Sequence, residues 1–170
     1  KVGDLDIVHT HGDLGTAAQA YAQILQEDPQ NPLALAGLAR CYLTSGDIER
    51  AKQTLAMVPP EHQANPAITA VQAQLKLADQ AQNAGDIGPL QAKSKADPND
   101  HQARLDLAVA LAARGESEAA IAEILEAVRR DRNWNEGAAR KQLLTLFEAL
   151  GSADPAVQSG RRKLSAILFS

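Results

Sequence analysis

Aromatic side chains are scarce in this sequence: two Phe, two Tyr and one Trp in 170 residues. A β-sandwich or barrel draws on more aromatic and β-branched residues than that. The single cysteine, Cys41, excludes an internal disulfide framework and a cysteine-rich metal site. No basic excess exists either, since the net charge is −4. Nucleic acid is therefore not expected as a partner, because phosphate binding needs a basic face. No apolar run approaches the roughly 20 residues of a membrane span, and no secretory leader is visible. These absences predict a soluble, cytoplasmic protein with no membrane contact. The chain begins at Lys1 and its one methionine is Met57, so it reads as a piece of a longer protein. Its length suits one domain with a real core and is too short to suggest two.

What is present is alanine, with Leu, Gln, Glu, Arg and Lys, the residues that lose least on entering a helix. The same break recurs at Gly12-Asp13, Gly46-Asp47, Gly85-Asp86 and Gly115-Glu116, at intervals of 34, 39 and 30 residues. Each glycine ends an apolar periodic stretch, where a left-handed residue can close a helix. Each acidic residue then stands where the next helix starts, able to cap its free N–H groups. Periods near 34 residues point to stacked helical hairpins. The spacing predicts repeats over about 1–31, 32–64, 65–100 and 101–133, then a helical pair over 134–170, all in a single domain.

The second repeat is the most regular. After Asp28-Pro29, the residues Leu35, Leu38, Ala39 and Tyr42 make one helical face; after Gly46, the residues Ile48, Ala51, Leu55 and Val58 make the facing one. The first repeat offers Gly12, Ala17, Tyr21, Ile24 and Pro29 in the same places, and the fourth offers Leu107, Ala108, Leu111, Gly115, Ala120, Ile124 and Ala127. The third departs from the pattern at Pro89. In the final pair, Ala139, Leu143, Leu146, Phe147 and Leu150 form one face, and Val157, Leu164, Ile167 and Leu168 the other. An array of hairpins needs a terminal cap over its last apolar face, and this pair supplies it. The unit resembles a tetratricopeptide repeat. The resemblance implies an all-α, right-handed superhelix of helical hairpins.

Chemistry-bearing residues give little toward catalysis. His9, His11, His62 and His101 form no pair at the spacing that zinc sites favour, so no metal is expected. Cys41 reads as a packed thiol. Asp97 and Asp100 flank Pro98 and read as a turn with a helix cap. No phosphate loop, nucleophile elbow or Cys-x-x-Cys occurs, so neither an enzyme nor a cofactor is expected. Arg129, Arg130 and Arg132 ahead of Trp134 have the composition of an interface anchor. The alternative is that the cations serve a helix C-terminus while Trp134 packs under the next helix. Counting along the first helix of each unit, the inner surface gathers Arg40 and Thr44, then Gln72, Asp79, Gln82 and Asn83, then Gln102 and Arg104. That mix of amides and charges suits an extended peptide or a partner helix.

Three stretches carry a closer resemblance: EDPQNPLALAGLARCYLTSGDIERAKQTLAMVPPE, ADPNDHQARLDLAVALAARGESEAAIAEILEAVRRDRNWNEGAARKQLLTLFEALG and GRRKLSAILFS. Together they are similar to the C-terminal tetratricopeptide region of bacterial thioredoxin-like co-chaperones. The resemblance implies an upstream thioredoxin fold whose active-site cysteines are not in this sequence. It also implies holding of unfolded clients and contact with chaperone machinery such as the chaperonin. Trp134, Arg161 and Arg162, in the region most distinctive of that family, join the expected contact residues. Two other readings stay open: a generic scaffold for another complex, and a regulatory part of an upstream enzyme. A monomer or weak homodimer fits all three.

Overall fold

The computed structural model describes residues 14–170, and among them every regular element is helical. Nine α-helices follow in order: α1 Leu14–Glu27, α2 Pro32–Thr44, α3 Ile48–Ala56, α4 Pro66–Ala84, α5 Ile87–Ala96, α6 His101–Ala113, α7 Ser117–Arg130, α8 Ala138–Leu150 and α9 Pro155–Leu168. Short 3₁₀ turns stand at Pro60–His62 and Trp134–Gly137. The first expected hairpin helix, with Gly12-Asp13, His9 and His11, lies outside the described residues. The chain divides within α4 into two compact units, one ending at Leu75 and the other beginning at Lys76.

Helix starts follow the short polar residues. The Asn31, Asp47 and Asp100 side chains each accept the backbone N–H three residues on, at 3.0, 3.1 and 3.0 Å, and Asp154 accepts that of Ala156 at 2.9 Å. Each bond satisfies a donor that a helix N-terminus leaves unpaired. The Gly46 and Gly115 turns share one geometry. Both glycines have positive φ, +85° and +79°. Asp47 N–H reaches back to Tyr42 O at 2.8 Å, and Glu116 N–H to Leu111 O at 3.0 Å, closing α2 and α6 with left-handed caps.

Two of the expected acidic caps do not form. Glu116 makes no side-chain cap bond; its carboxylate faces Arg114 instead, at 3.6 Å. Asp86 stands at the cap position of α5 without a side-chain bond, and the third helical residue there is Pro89. That is the position whose N–H the other caps use most, and proline has none. With the bond missing, Asp86→Ala is expected to cost at most a few tenths of a kcal/mol in the native background. In a Pro89→Ala background, where the N–H is restored, it should cost about 1 kcal/mol. Urea denaturation of the four variants measures the difference, and equal costs would discard the explanation.

In the first unit, Ala17 and Tyr21 of α1 pack with Ala34 and Cys41 of α2, while Leu35 and Ala39 meet Leu55, Val58, Ile68 and Val71. Ala39 and Ala51 are fully buried, as their small size at the hairpin crossing requires. In the second unit α6 is central. Nine of its thirteen residues are buried, and it packs against α5, α7 and α8. A helix apolar nearly all round is a core helix. The last two helices close this unit, with α9 lying on α7 and its Gly160 over the Phe147 ring of α8.

Candidate functional site

In the second unit, α4, α6 and α8 leave a groove of about 260 Å³ lined by Gln80, Asn83, Gln102, Asp106, Gln142 and short apolar side chains. Gln80 and Gln142 exchange two amide hydrogen bonds, Gln142 Nε2 donating at 2.8 Å and Gln80 Nε2 at 3.2 Å. Gln102 Nε2 donates to Asp106 Oδ1 at 2.9 Å. Neither Lys nor Arg lines this groove. Its polar groups are amides that both donate and accept, plus one carboxylate that accepts. The arrangement matches main-chain amides of an extended segment and offers no clamp for an acidic group.

Of the inner-surface residues expected from the repeat register, Asn83 and Gln102 come together in this groove. Asn83 Nδ2 also donates to Asp79 O at 3.1 Å, one turn back, which steadies its amide. Gln82 is exposed and Asp79 half-buried, and neither lines the groove. In the first unit, Arg40 is half-buried, the exposed Thr44 hydroxyl donates to Arg40 O at 2.9 Å, and Gln72 Nε2 donates to Gln63 Oε1 at 2.8 Å. Arg104 is different, being buried with its guanidinium spent inside the chain. Its Nε donates to Pro98 O at 3.0 Å and its Nη1 to Glu123 Oε2 at 2.9 Å, tying α6 to the preceding turn and to α7. Gln80, Asp106 and Gln142 were not expected. Gln80 is one helical turn before Asn83 and Ala84, so its face was readable once Asn83 was placed. Gln142 lies 62 residues away, and nothing local announces it.

The arginine-rich end of α7 has a more specific arrangement than dipole compensation. Arg129 and Arg130 both pair with Glu126, Arg130 Nε at 2.7 Å. Arg132 donates to the carbonyls of Leu168 and Ile167 at 3.3 and 3.2 Å, capping the C-terminus of α9. Trp134 is half-buried against the core and meets the buried His101 ring edge-on at 5.4 Å. Asn135, Glu136 and Gly137 follow with positive φ of 47°, 58° and 79° before α8 begins. Arg161 is exposed over the Phe147 ring, 5.8 Å from its centroid, and Arg162 is exposed beside it. Cys41 is buried, and burial raises its thiol pKa against the opposing charge of Arg40. Among the described residues no three His, Cys, Asp or Glu side chains converge, and no helix is long and apolar enough to cross a membrane.

Hydrogen bonding from Arg129, reinforced by Arg130, holds the Glu126 carboxyl down to about 2 from 4.5, against a smaller cost of burial. The fold thus favours the charged form. This stabilisation is complete above pH 4.5 and is lost as pH falls toward 2. Urea midpoints measured from pH 2 to 6 should fall less steeply for Glu126→Gln than for the native chain. An identical acid limb would show that the pair contributes nothing.

Comparison with known proteins agrees with this architecture. Residues 80–169 and residues 9–75 each match a family profile described as Tetratricopeptide repeat. Cellulose synthase 1 operon protein C of Komagataeibacter xylinus is 30% identical over 112 residues, which is 65% of this chain and 8% of that protein. An uncharacterized protein of Haemophilus influenzae is 29% identical over 131 residues, 77% of this chain and 59% of that protein. The chain thus spans less than two thirds of the length of either relative. A solved domain of protein VP0806 (unknown function) from Vibrio parahaemolyticus aligns with a TM-score of 0.48 at 22% identity, covering 97% of this chain and 96% of that one. With its glycine-closed helical hairpins and one profile that takes in more than half of its residues, the chain belongs to the tetratricopeptide-repeat family.

Proposed function

We propose that this chain is the client-holding module of a thioredoxin-like co-chaperone. Tetratricopeptide repeats mediate protein–protein interaction, and the finer reading rests on the amide-lined groove between α4, α6 and α8. A client that is unfolded offers main chain rather than a defined side-chain pattern. Amides at Gln80, Asn83, Gln102 and Gln142 suit that ligand because each can donate and accept. The resemblance of the three quoted stretches to the co-chaperone family supports the same reading. In it, Trp134, Arg161 and Arg162 mark the side turned to chaperone machinery.

The test is light scattering of a denatured client, such as guanidine-treated citrate synthase diluted into buffer. The native chain should slow aggregation at stoichiometric ratios. Asn83→Ala with Gln102→Ala should lose most of that effect while keeping the native helical circular dichroism. No protection by the native chain would overturn the holding function. The second reading is a scaffold, favoured by the likeness to the two cellulose synthase operon proteins C of Komagataeibacter xylinus, at 30% and 32% identity. It predicts one stable partner and no effect on denatured clients.

A further inference from the structure

The groove between α4, α6 and α8 holds one carboxylate and an excess of open acceptors. Each of its side-chain amide nitrogens already donates within the chain. Gln80 Nε2 and Gln142 Nε2 donate to each other's oxygens, Gln102 Nε2 to Asp106 Oδ1, and Asn83 Nδ2 to Asp79 O. By contrast, Asn83 Oδ1, Gln102 Oε1 and Asp106 Oδ2 receive no hydrogen bond among the described residues. What the groove lacks is donors, and above all a positive charge.

Asp106 is half-buried in the middle of α6 and has no ion-pair partner among the described residues. With no Lys or Arg in the lining, its charge is not compensated from within the groove. A half-buried carboxylate is screened less than one in open solvent and attracts a cation more strongly. The open oxygens come from two helices, Asn83 from α4 and Gln102 and Asp106 from α6. A guanidinium presents five N–H donors in one plane and can bond several acceptors together, whereas an ammonium meets them as a point charge. The volume of about 260 Å³ is below the roughly 300–1,000 Å³ of small-molecule pockets and suits one long side chain. Leu105 and Val109 give that side chain's methylene stem an apolar wall.

We propose that Asp106 makes this groove selective for arginine, so that it takes an extended segment of a partner protein with one arginine side chain set against Asp106, Gln102 and Asn83. The proposal rests on the reading that a client segment lies in this groove, and adds which residue of the segment anchors it. The guanidinium donates a charge-assisted hydrogen bond to Asp106 Oδ2 and further bonds to the amide oxygens of Gln102 and Asn83. Gln102, by donating to Asp106 Oδ1, keeps the carboxylate turned into the groove. An acidic segment meets the same carboxylate as a like charge. Unfolded segments that carry arginine are therefore held in preference to acidic ones.

The probes are short peptides of Ser, Asn, Ala and Leu that differ only in a central arginine, lysine or citrulline, the last an uncharged isostere of arginine. Each is titrated into the isotope-labelled full chain. Proton–nitrogen NMR reads the affinity and, through the side-chain amide signals of Asn83 and Gln102, the place of binding. The arginine peptide should bind about tenfold tighter than the citrulline peptide, with the lysine peptide between them. Asp106→Asn keeps the side chain's size and an oxygen for Gln102. It should bring the three peptides within about twofold of one another and leave thermal unfolding unchanged. No binding of the arginine peptide at millimolar concentration overturns the proposal. Equal affinity for arginine and either other peptide does so too, as does binding that leaves the Asn83 and Gln102 signals unmoved. A preference for arginine that survives Asp106→Asn would place the cation elsewhere and equally overturn it. The aggregation assay decides the holding function separately. Protection of a denatured client without a preference for arginine keeps that function and discards this anchor, whereas the preference without protection keeps the anchor and discards the holding function.

Discussion

Alanine at position 37 should destabilise the chain, although replacing a glycine inside a helix ordinarily gains about 1 kcal/mol. Gly37 sits in the middle of α2 and is buried. A methyl group there would stand inside the Tyr21 ring, against Cζ and both Cε atoms. The ring cannot swing away, because Tyr21 is fully buried between α1 and α2. Overpacking a filled core costs about 1–3 kcal/mol, so the clash exceeds the propensity gain. The partner variant gives the argument its control. Tyr21→Ala alone should cost about 3–5 kcal/mol, the loss for emptying a large buried aromatic site. Once the ring is gone, Gly37→Ala should turn neutral or stabilising. Urea denaturation of the four chains measures the coupling. The same sign for Gly37→Ala in both backgrounds would mean that the ring is not what keeps a glycine there.

Gly37 shows where sequence reading stops. Inside α2 it reads only as a weak helix former, because its reason is a ring sixteen positions back whose distance no local pattern encodes. Gly46 and Gly115 were legible for the opposite reason. Each follows an apolar stretch and precedes an acidic residue, and a left-handed cap is a local requirement. Asp47 and Asp100 were readable as caps, and Pro89 explains why Asp86 breaks the pattern; the Asn31 cap was found only in the structure. The core stripes of α2, α3, α8 and α9 also came through, since burial there follows a 3.6-residue period.

The candidate site was legible only in part. Its chemistry followed from the amides, but a single-position error in register turns a helix by about 100°. Asn83 and Gln102 share the groove, while Gln82 and Arg104 face elsewhere, Arg104 toward Glu123. The Gln80–Gln142 pair depends on which helices become neighbours. Residues 62 apart in sequence carry no mutual signal in a single chain.

Phe147 repeats the logic of Tyr21 in the second unit, and its loss should reach further. Its ring is 1% exposed and fills the space beneath Gly160, whose added Cβ would fall 2.8 and 2.9 Å from Cε1 and Cζ. Few other contacts join α8 to α9, which lies chiefly on α7. Phe147→Ala should therefore cost about 3–5 kcal/mol as a cavity in the core. It should also remove the Arg161 cation–π contact, a further 0.5–1 kcal/mol or so at an exposed site. The loss is not spread evenly, because α6 and α7 keep their own facing stripes while α9 loses its support from α8. Amide hydrogen exchange should show α9 deprotected well before α6. Gly160→Ala approaches the same contact from the other side, pressing on both the ring and Ile121. In the Phe147→Ala background its penalty should shrink, since the two nearest atoms belong to the ring and the next, Ile121 Cγ2, is at 3.0 Å. If α6 and α9 lose protection together, α9 is an integral layer of the unit and not a cover held down by one ring and the Arg132 cap.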